Sequence, residues 1–132
     1  MDEKPLTVLV VDDDESVRKA MKRLLVSNGY RVLTFESAED LLVSSFARGN
    51  VCLVLDICLP GLSGLDLYAR LSASGVKCPV IFMTAHDEPR WLEMAERAGA
   101  VAFLRKPFEE HSLLDAVVRS QVRMKSAGNA TG

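Results

Sequence analysis

Short apolar runs alternate along the chain with longer stretches in which apolar residues recur every three or four positions. Residues 6–11 form a continuous run rich in β-branched side chains, the composition of a strand covered on both faces. Asp12-Asp13-Asp14 follows. Val17, Met21, Leu24 and Leu25 then recur at helical spacing, and Asn28-Gly29 stops that helix. Residues 30–35 read as a second strand. Ser37-Ala38-Glu39-Asp40 reads as a capping box for a helix carrying Leu41, Leu42 and Phe46, broken at Gly49-Asn50. Residues 51–55 predict a third buried strand that ends at Asp56. Pro60, Gly61 and Gly64 mark a loop, and Ser63-Gly64-Leu65-Asp66 opens a helix running to about Gly75. Residues 79–83 predict a fourth strand, Asp87-Glu88-Pro89 starts a helix that Gly99 ends, and residues 101–104 predict a short fifth strand. A last helix is expected from Glu109 to Arg123, and the small polar residues 126–132 read as a frayed tail or the start of a linker.

Five strand–helix units in succession, joined by short loops, predict an α/β domain over residues 1–123. Its sheet would be parallel and doubly wound, with five strands and helices on both faces, and residues 124–132 would form a flexible tail. The length of 132 residues fits one such domain. Hydrophobic residues make up 48%, too many for a disordered chain. Lys plus Arg number 16 against 18 Asp plus Glu, a net charge of −2 that argues against direct binding to nucleic acid. No apolar run approaches the ~18 residues of a membrane span, and the first residues lack a signal-peptide pattern. Cys52, Cys58 and Cys78 show no CxxC spacing, so reduced thiols in the cytoplasm are expected.

In a doubly wound sheet the ligand site lies beyond the carboxyl ends of the strands, where strand order reverses. The polar residues of this sequence gather at those ends. The first strand ends in Asp12-Asp13-Asp14, the third in Asp56, the fourth in Thr84 and the fifth in Arg105-Lys106-Pro107. If the first and third strands are neighbours, ~4.8 Å apart, Asp12 or Asp13 converges on Asp56. Like charges at that distance require a proton or a cation between them, and carboxylates with loop carbonyls suit Mg²⁺. Lys106 and Thr84 are then donors for an anion brought by the metal, and Asp56 is a nucleophile able to form an acyl phosphate. The acidic run could instead be only a helix cap, but one cap needs one carboxylate.

Four segments together resemble the receiver domain of two-component response regulators, a CheY-like fold. They are Val10-Val11-Asp12-Asp13-Asp14, the stretch from Leu55 to Gly64, Met83-Thr84-Ala85, and Arg105-Lys106-Pro107-Phe108. The resemblance covers about residues 6–122 and is strongest to FixJ-like and NarL-like transcriptional regulators. It implies a flavodoxin-like sheet in strand order 2-1-3-4-5 and a phosphoryl group accepted on Asp56. It also implies Mg²⁺, or Mn²⁺ in its place, held by Asp12, Asp13, Asp56 and the backbone carbonyl of Cys58. Thr84 and Phe103 resemble the switch residues, and Thr84, Ala85 and Lys106 the phosphate-binding groups, with the Lys106–Pro107 bond cis. Catalysis would be limited to the domain's own phosphorylation and dephosphorylation, by Asp56, Lys106 and Thr84, so the chain is expected not to be an enzyme in the ordinary sense.

The implied partners are a sensor histidine kinase or phosphotransfer protein, and a second copy through the face of the fourth helix, fifth strand and fifth helix. DNA would be reached only through an effector domain that these residues do not contain, and no membrane is involved. Cys58 and His86 depart from the types common beside the phosphate. Cys52 and Cys78 read as core, His111 and the Arg18, Lys19, Lys22 and Arg23 face as solvated, and Trp91 as core or partner contact. Competing readings are a haloacid dehalogenase-type phosphatase, whose motif Asp12-Asp13-Asp14-Glu15-Ser16 matches poorly at Ser16, and a stand-alone interaction module.

Overall fold

Strands and helices alternate through the computed structural model, which describes residues 6–44, 50–86 and 88–130. The elements run β1 (Thr7–Val11), α1 (Glu15–Ser27), β2 (Arg31–Phe35), α2 (Ala38–Val43), β3 (Val51–Asp56), α3 (Gly64–Ala73), β4 (Val80–Thr84), α4 (Pro89–Arg97), β5 (Ala102–Arg105) and α5 (Glu110–Ala130). The strands form one parallel sheet in the order β2-β1-β3-β4-β5. The alternation is that expected from the sequence pattern, and the strand order is that implied by the resemblance.

The apolar runs are fully buried because each strand feeds two cores at once. Leu9, Val11, Leu53, Leu55 and Phe82 point to one face, where α2, α3 and α4 contribute Ala38, Leu41, Leu67, Leu71 and Ala95. Val8, Val10, Val54, Ile81 and Met83 point to the other, against Met21 and Leu25 of α1 and Leu113, Ala116 and Val117 of α5. Each fully buried Leu or Ile contributes ~1.5–3 kcal/mol of transfer free energy, so β1, β3 and β4 form a rigid floor.

Helix starts follow the capping residues. Asp14 caps α1, its side chain accepting from the N–H groups of Ser16 and Val17. Ser37 caps α2 and Ser63 caps α3, each accepting one N–H three residues on. Glu88 precedes α4 without a side-chain cap, and Pro89 sits in the first turn where its missing N–H costs nothing. Phe46 and Asp87 lie outside the described residues.

The main departure is at the end of the chain. The α5 backbone runs to Ala130, past the helix end expected at Arg123. Small polar residues had suggested a tail over 126–132. Up to Ala130 that stretch holds no proline, Gly128 is tolerated in a helix, and Ala127 and Ala130 favour one.

Candidate functional site

Sheet register assembles the site. Val11 pairs with Leu55 across β1 and β3, so Asp12 and Asp56 leave the sheet side by side. Asp56 pairs with Met83 and Thr84 with Arg105, which aligns Thr84 and Lys106 along the same edge. The reversal of strand order falls between β1 and β3, the crevice where such sheets bind ligands.

Asp14 is spent on the α1 cap, with Oδ1 2.9 Å from Ser16 N and 2.6 Å from Ser16 Oγ. The cap reading therefore accounts for one carboxylate and leaves two. Asp12 is fully buried, Asp56 is 4% exposed and Asp13 faces solvent. Asp12, Asp13 and Asp56 each offer an oxygen within 4.8 Å of the others.

Lys106 Nζ bridges the two buried carboxylates. It donates to Asp12 Oδ2 at 2.5 Å and to Asp56 Oδ2 at 2.8 Å. The remaining oxygens take backbone donors, Asp14 N–H to Asp12 Oδ1 and Cys58 N–H to Asp56 Oδ1, both at 2.9 Å. Burial, reinforced by Asp12, holds the Asp56 carboxyl above the usual Asp value, against the pull of Lys106. Burial alone would lower the Lys106 pKa, but Asp12 and Asp56 outweigh it and push it up.

Three carboxylates against one ammonium leave a formal surplus of two negative charges in a cluster whose Asp13 faces solvent. An all-oxygen donor set with that charge fits a hard divalent cation such as Mg²⁺.

Thr84 is fully buried at the end of β4. Its Oγ1 accepts from His86 N–H at 3.1 Å and lies 3.7 Å from Cys58 Sγ. Ala85 is exposed at the mouth. Phe103 lies opposite Phe82 in β5, half-buried against the core on the α2–α4 face. The Lys106–Pro107 peptide is cis, as the resemblance implied.

Three contacts escaped sequence reading. Arg18, placed on a solvated helix face, donates from NH1 to the Asp12 carbonyl at 2.6 Å and ties down the acidic loop. Glu39 Oε2 accepts from Leu62 N–H at 3.2 Å and anchors the loop after Asp56. At Gly64 an added Cβ would stand 2.3 Å from the Asp56 carbonyl oxygen, so only glycine lets α3 start there. The glycine was visible as a loop signal, but nothing local announces the approach. Trp91 is half-buried, packs on the core and carries the Arg90 guanidinium 4.5 Å from its ring centroid. Burial pushes the Cys52 thiol up to about 12 and that of Cys78 up to about 11, so both are inert at neutral pH.

Beside the site, an apolar cavity of about 420 Å³ opens between α1 and the loop after β5. Ala20, Met21, Leu24, Pro107 and Phe108 line it, next to Lys106.

The family model described as response regulator receiver domain matches residues 8–118. Nodulation protein W of Bradyrhizobium diazoefficiens is 44% identical over 116 residues, covering 88% of this chain and 51% of that protein. The transcriptional regulatory protein FixJ of Azorhizobium caulinodans is 37% identical over 123 residues, covering 93% of this chain and 58% of that one. The crystal structure of FixJ-N superposes with a TM-score of 0.81 at 36% identity, over 89% of this chain and 94% of that one. The response regulator StyR gives 0.87 at 41% identity, over 97% of this chain and 65% of that one. The chain thus spans about half the length of these curated relatives.

Proposed function

The chain belongs to the response regulator receiver family, and on that premise we propose that Asp56 accepts a phosphoryl group and that Thr84 and Phe103 relay its presence to the α4-β5-α5 face. Receiver domains of this family are signalling switches of two-component systems. They interact with histidine kinases or phosphotransfer partners and bind Mg²⁺ in an acidic pocket.

The observation that carries the reading is the bridge from Lys106 to Asp12 and Asp56 at the switch point of the sheet. A carboxylate oxygen of Asp56 attacks phosphorus, the bond to the donor's imidazole nitrogen breaks, and that nitrogen takes a proton as it leaves. Lys106 is placed to exchange its bond with Asp56 for one to a phosphoryl oxygen. The Cys58 N–H orients the attacking carboxylate, and the Thr84 hydroxyl becomes a donor to the same group. Asp12, Asp13, Asp56 and the Cys58 carbonyl would hold Mg²⁺, or Mn²⁺, whose charge offsets the repulsion between Asp56 and an incoming phosphoryl anion. The apolar cavity beside Lys106 suits a docking phosphodonor.

Thr84 ends β4, Phe103 lies in β5 and Lys106 follows it, so a change at the phosphate is felt first by α4, β5 and α5. Those helices expose both apolar and charged groups, among them Leu92, Met94, Val118 and Val122 with Glu96 and Arg119. A second copy of the chain, or an effector domain elsewhere in the protein, is the proposed reader, and transcription the proposed output. The phosphatase reading is not favoured: Asp14 is committed to the α1 cap, and the match is to receiver domains. Phosphorylation by acetyl phosphate with Mg²⁺, followed by peptide mapping, tests the assignment. A phosphoryl adduct on Asp56 is expected, and an adduct on any other residue overturns it.

A further inference from the structure

We propose that Cys58 is a positioning residue that latches the Thr84 hydroxyl in the unphosphorylated arrangement and so sets how readily the domain switches. This rests on the reading of Asp56 as phosphoacceptor and goes beyond it. Thr84 is fully buried, so its hydroxyl must find partners inside the protein. Its oxygen accepts from the His86 N–H at 3.1 Å. Cys58 Sγ at 3.7 Å is its one other hydrogen-bonding neighbour among the described residues; either atom could be the donor, and the latch assigns the proton to Thr84, with the sulfur accepting.

The thiol stands two residues past Asp56, and its own backbone N–H orients the Asp56 carboxylate at 2.9 Å. One residue therefore grips both the phosphorylated group, through its main chain, and the switch hydroxyl, through its side chain. For Thr84 to donate to a phosphoryl oxygen on Asp56, its bond to Cys58 must break. Sulfur is a weak acceptor, so the latch is light, and its removal should favour the switched state by roughly two- to tenfold.

Beryllofluoride, which adds to an aspartate carboxylate in the shape of a phosphoryl group, is the probe. Its half-saturation with Mg²⁺, read by fluorine NMR, is measured for wild type, Cys58→Ala and Cys58→Val. Alanine deletes the acceptor and leaves space, whereas valine deletes it and keeps the volume, which separates hydrogen bonding from packing. The same changes are then made in a Thr84→Val background, which has no hydroxyl to release. Tighter binding of roughly two- to tenfold in at least one Cys58 variant, lost in the Thr84→Val background, is the expected result. A gain in neither variant, or a gain that survives without the Thr84 hydroxyl, overturns the latch. Failure of the wild type to bind beryllofluoride, or equal binding by Asp56→Asn, removes the phosphoacceptor reading itself and the latch with it.

Discussion

Lys106→Met removes the ammonium shared by Asp12 and Asp56 while keeping most of the apolar stem. Its cost can be worked from the site. The lysine donates at 2.5 and 2.8 Å to carboxylates that are 0% and 4% exposed. Deleting one partner of a buried pair costs ~3–5 kcal/mol, because the other charge stays behind. Two features reduce that here. The Asp14 and Cys58 N–H groups still serve the other carboxylate oxygens, and Asp56 can take up a proton at ~1.36 kcal/mol for each unit between its pKa and the pH. The expected loss without metal is ~2–4 kcal/mol at neutral pH, a fall in Tm of roughly 6–15 °C.

The pH dependence fixes the cause. Burial already raises the folded-state pKa of Asp56, and removing Lys106 raises it further. A carboxyl with a raised folded pKa carries its full penalty above that folded value and loses it as the pH falls through the folded value toward the unfolded one. The lysine, whose pKa is itself raised, stays charged throughout and loses its contribution only in the alkaline range. The gap between wild type and variant should therefore be widest near pH 7 and shrink toward the ordinary Asp value of ~3.9. Urea unfolding followed by circular dichroism at both pH values measures it. A neutral-pH gap below about 1 kcal/mol, the worth of a surface ion pair, or a gap equal at both pH values, would refute the reasoning.

Three further outcomes follow from the same structure. Gly64→Ala places a Cβ 2.3 Å from the Asp56 carbonyl oxygen, a backbone atom that cannot step aside, and should cost ~1–3 kcal/mol and slow acetyl phosphate labelling; wild-type stability in thermal unfolding would contradict this. Mg²⁺ at a hundredfold excess over its Kd should stabilise the wild type by ~2.7 kcal/mol, and Asp13→Asn should lose most of that response; an undiminished Tm shift in the variant would exclude Asp13 from the metal set. Beryllofluoride should convert monomer to dimer in sedimentation runs at tens of micromolar, and Arg119→Glu should weaken the dimer; a monomer under both conditions would move the reader of this face to a different protein.

The fold was legible because the strands are buried on both faces and read as unbroken apolar runs, with glycines marking several of the stops. The ends were less so. Nothing in 126–130 forbids a helix, and polar composition alone does not end one. At the site, residues fixed by strand ends were readable, since Asp12, Asp56, Thr84 and Lys106 each interrupt an apolar strand or follow one directly. Contacts made across the fold were not. Arg18 reaching the Asp12 carbonyl, Glu39 reaching Leu62 and Cys58 meeting Thr84 depend on loop geometry that local pattern does not encode. The Asp12-Asp13-Asp14 run shows both sides. Sequence indicated that three acids exceed what a cap needs, and only the structure assigned Asp14 to the cap and Asp12 to the lysine.

The central claim is that Asp56 is the phosphoacceptor. Intact-mass measurement after incubation with acetyl phosphate and Mg²⁺, on wild type and Asp56→Asn side by side, tests it most directly. One added phosphoryl group is expected on the wild type and none on the variant, with loss of the adduct on treatment with hydroxylamine, as an acyl phosphate requires. An adduct of equal yield on Asp56→Asn, or a wild-type adduct that resists hydroxylamine, would contradict it.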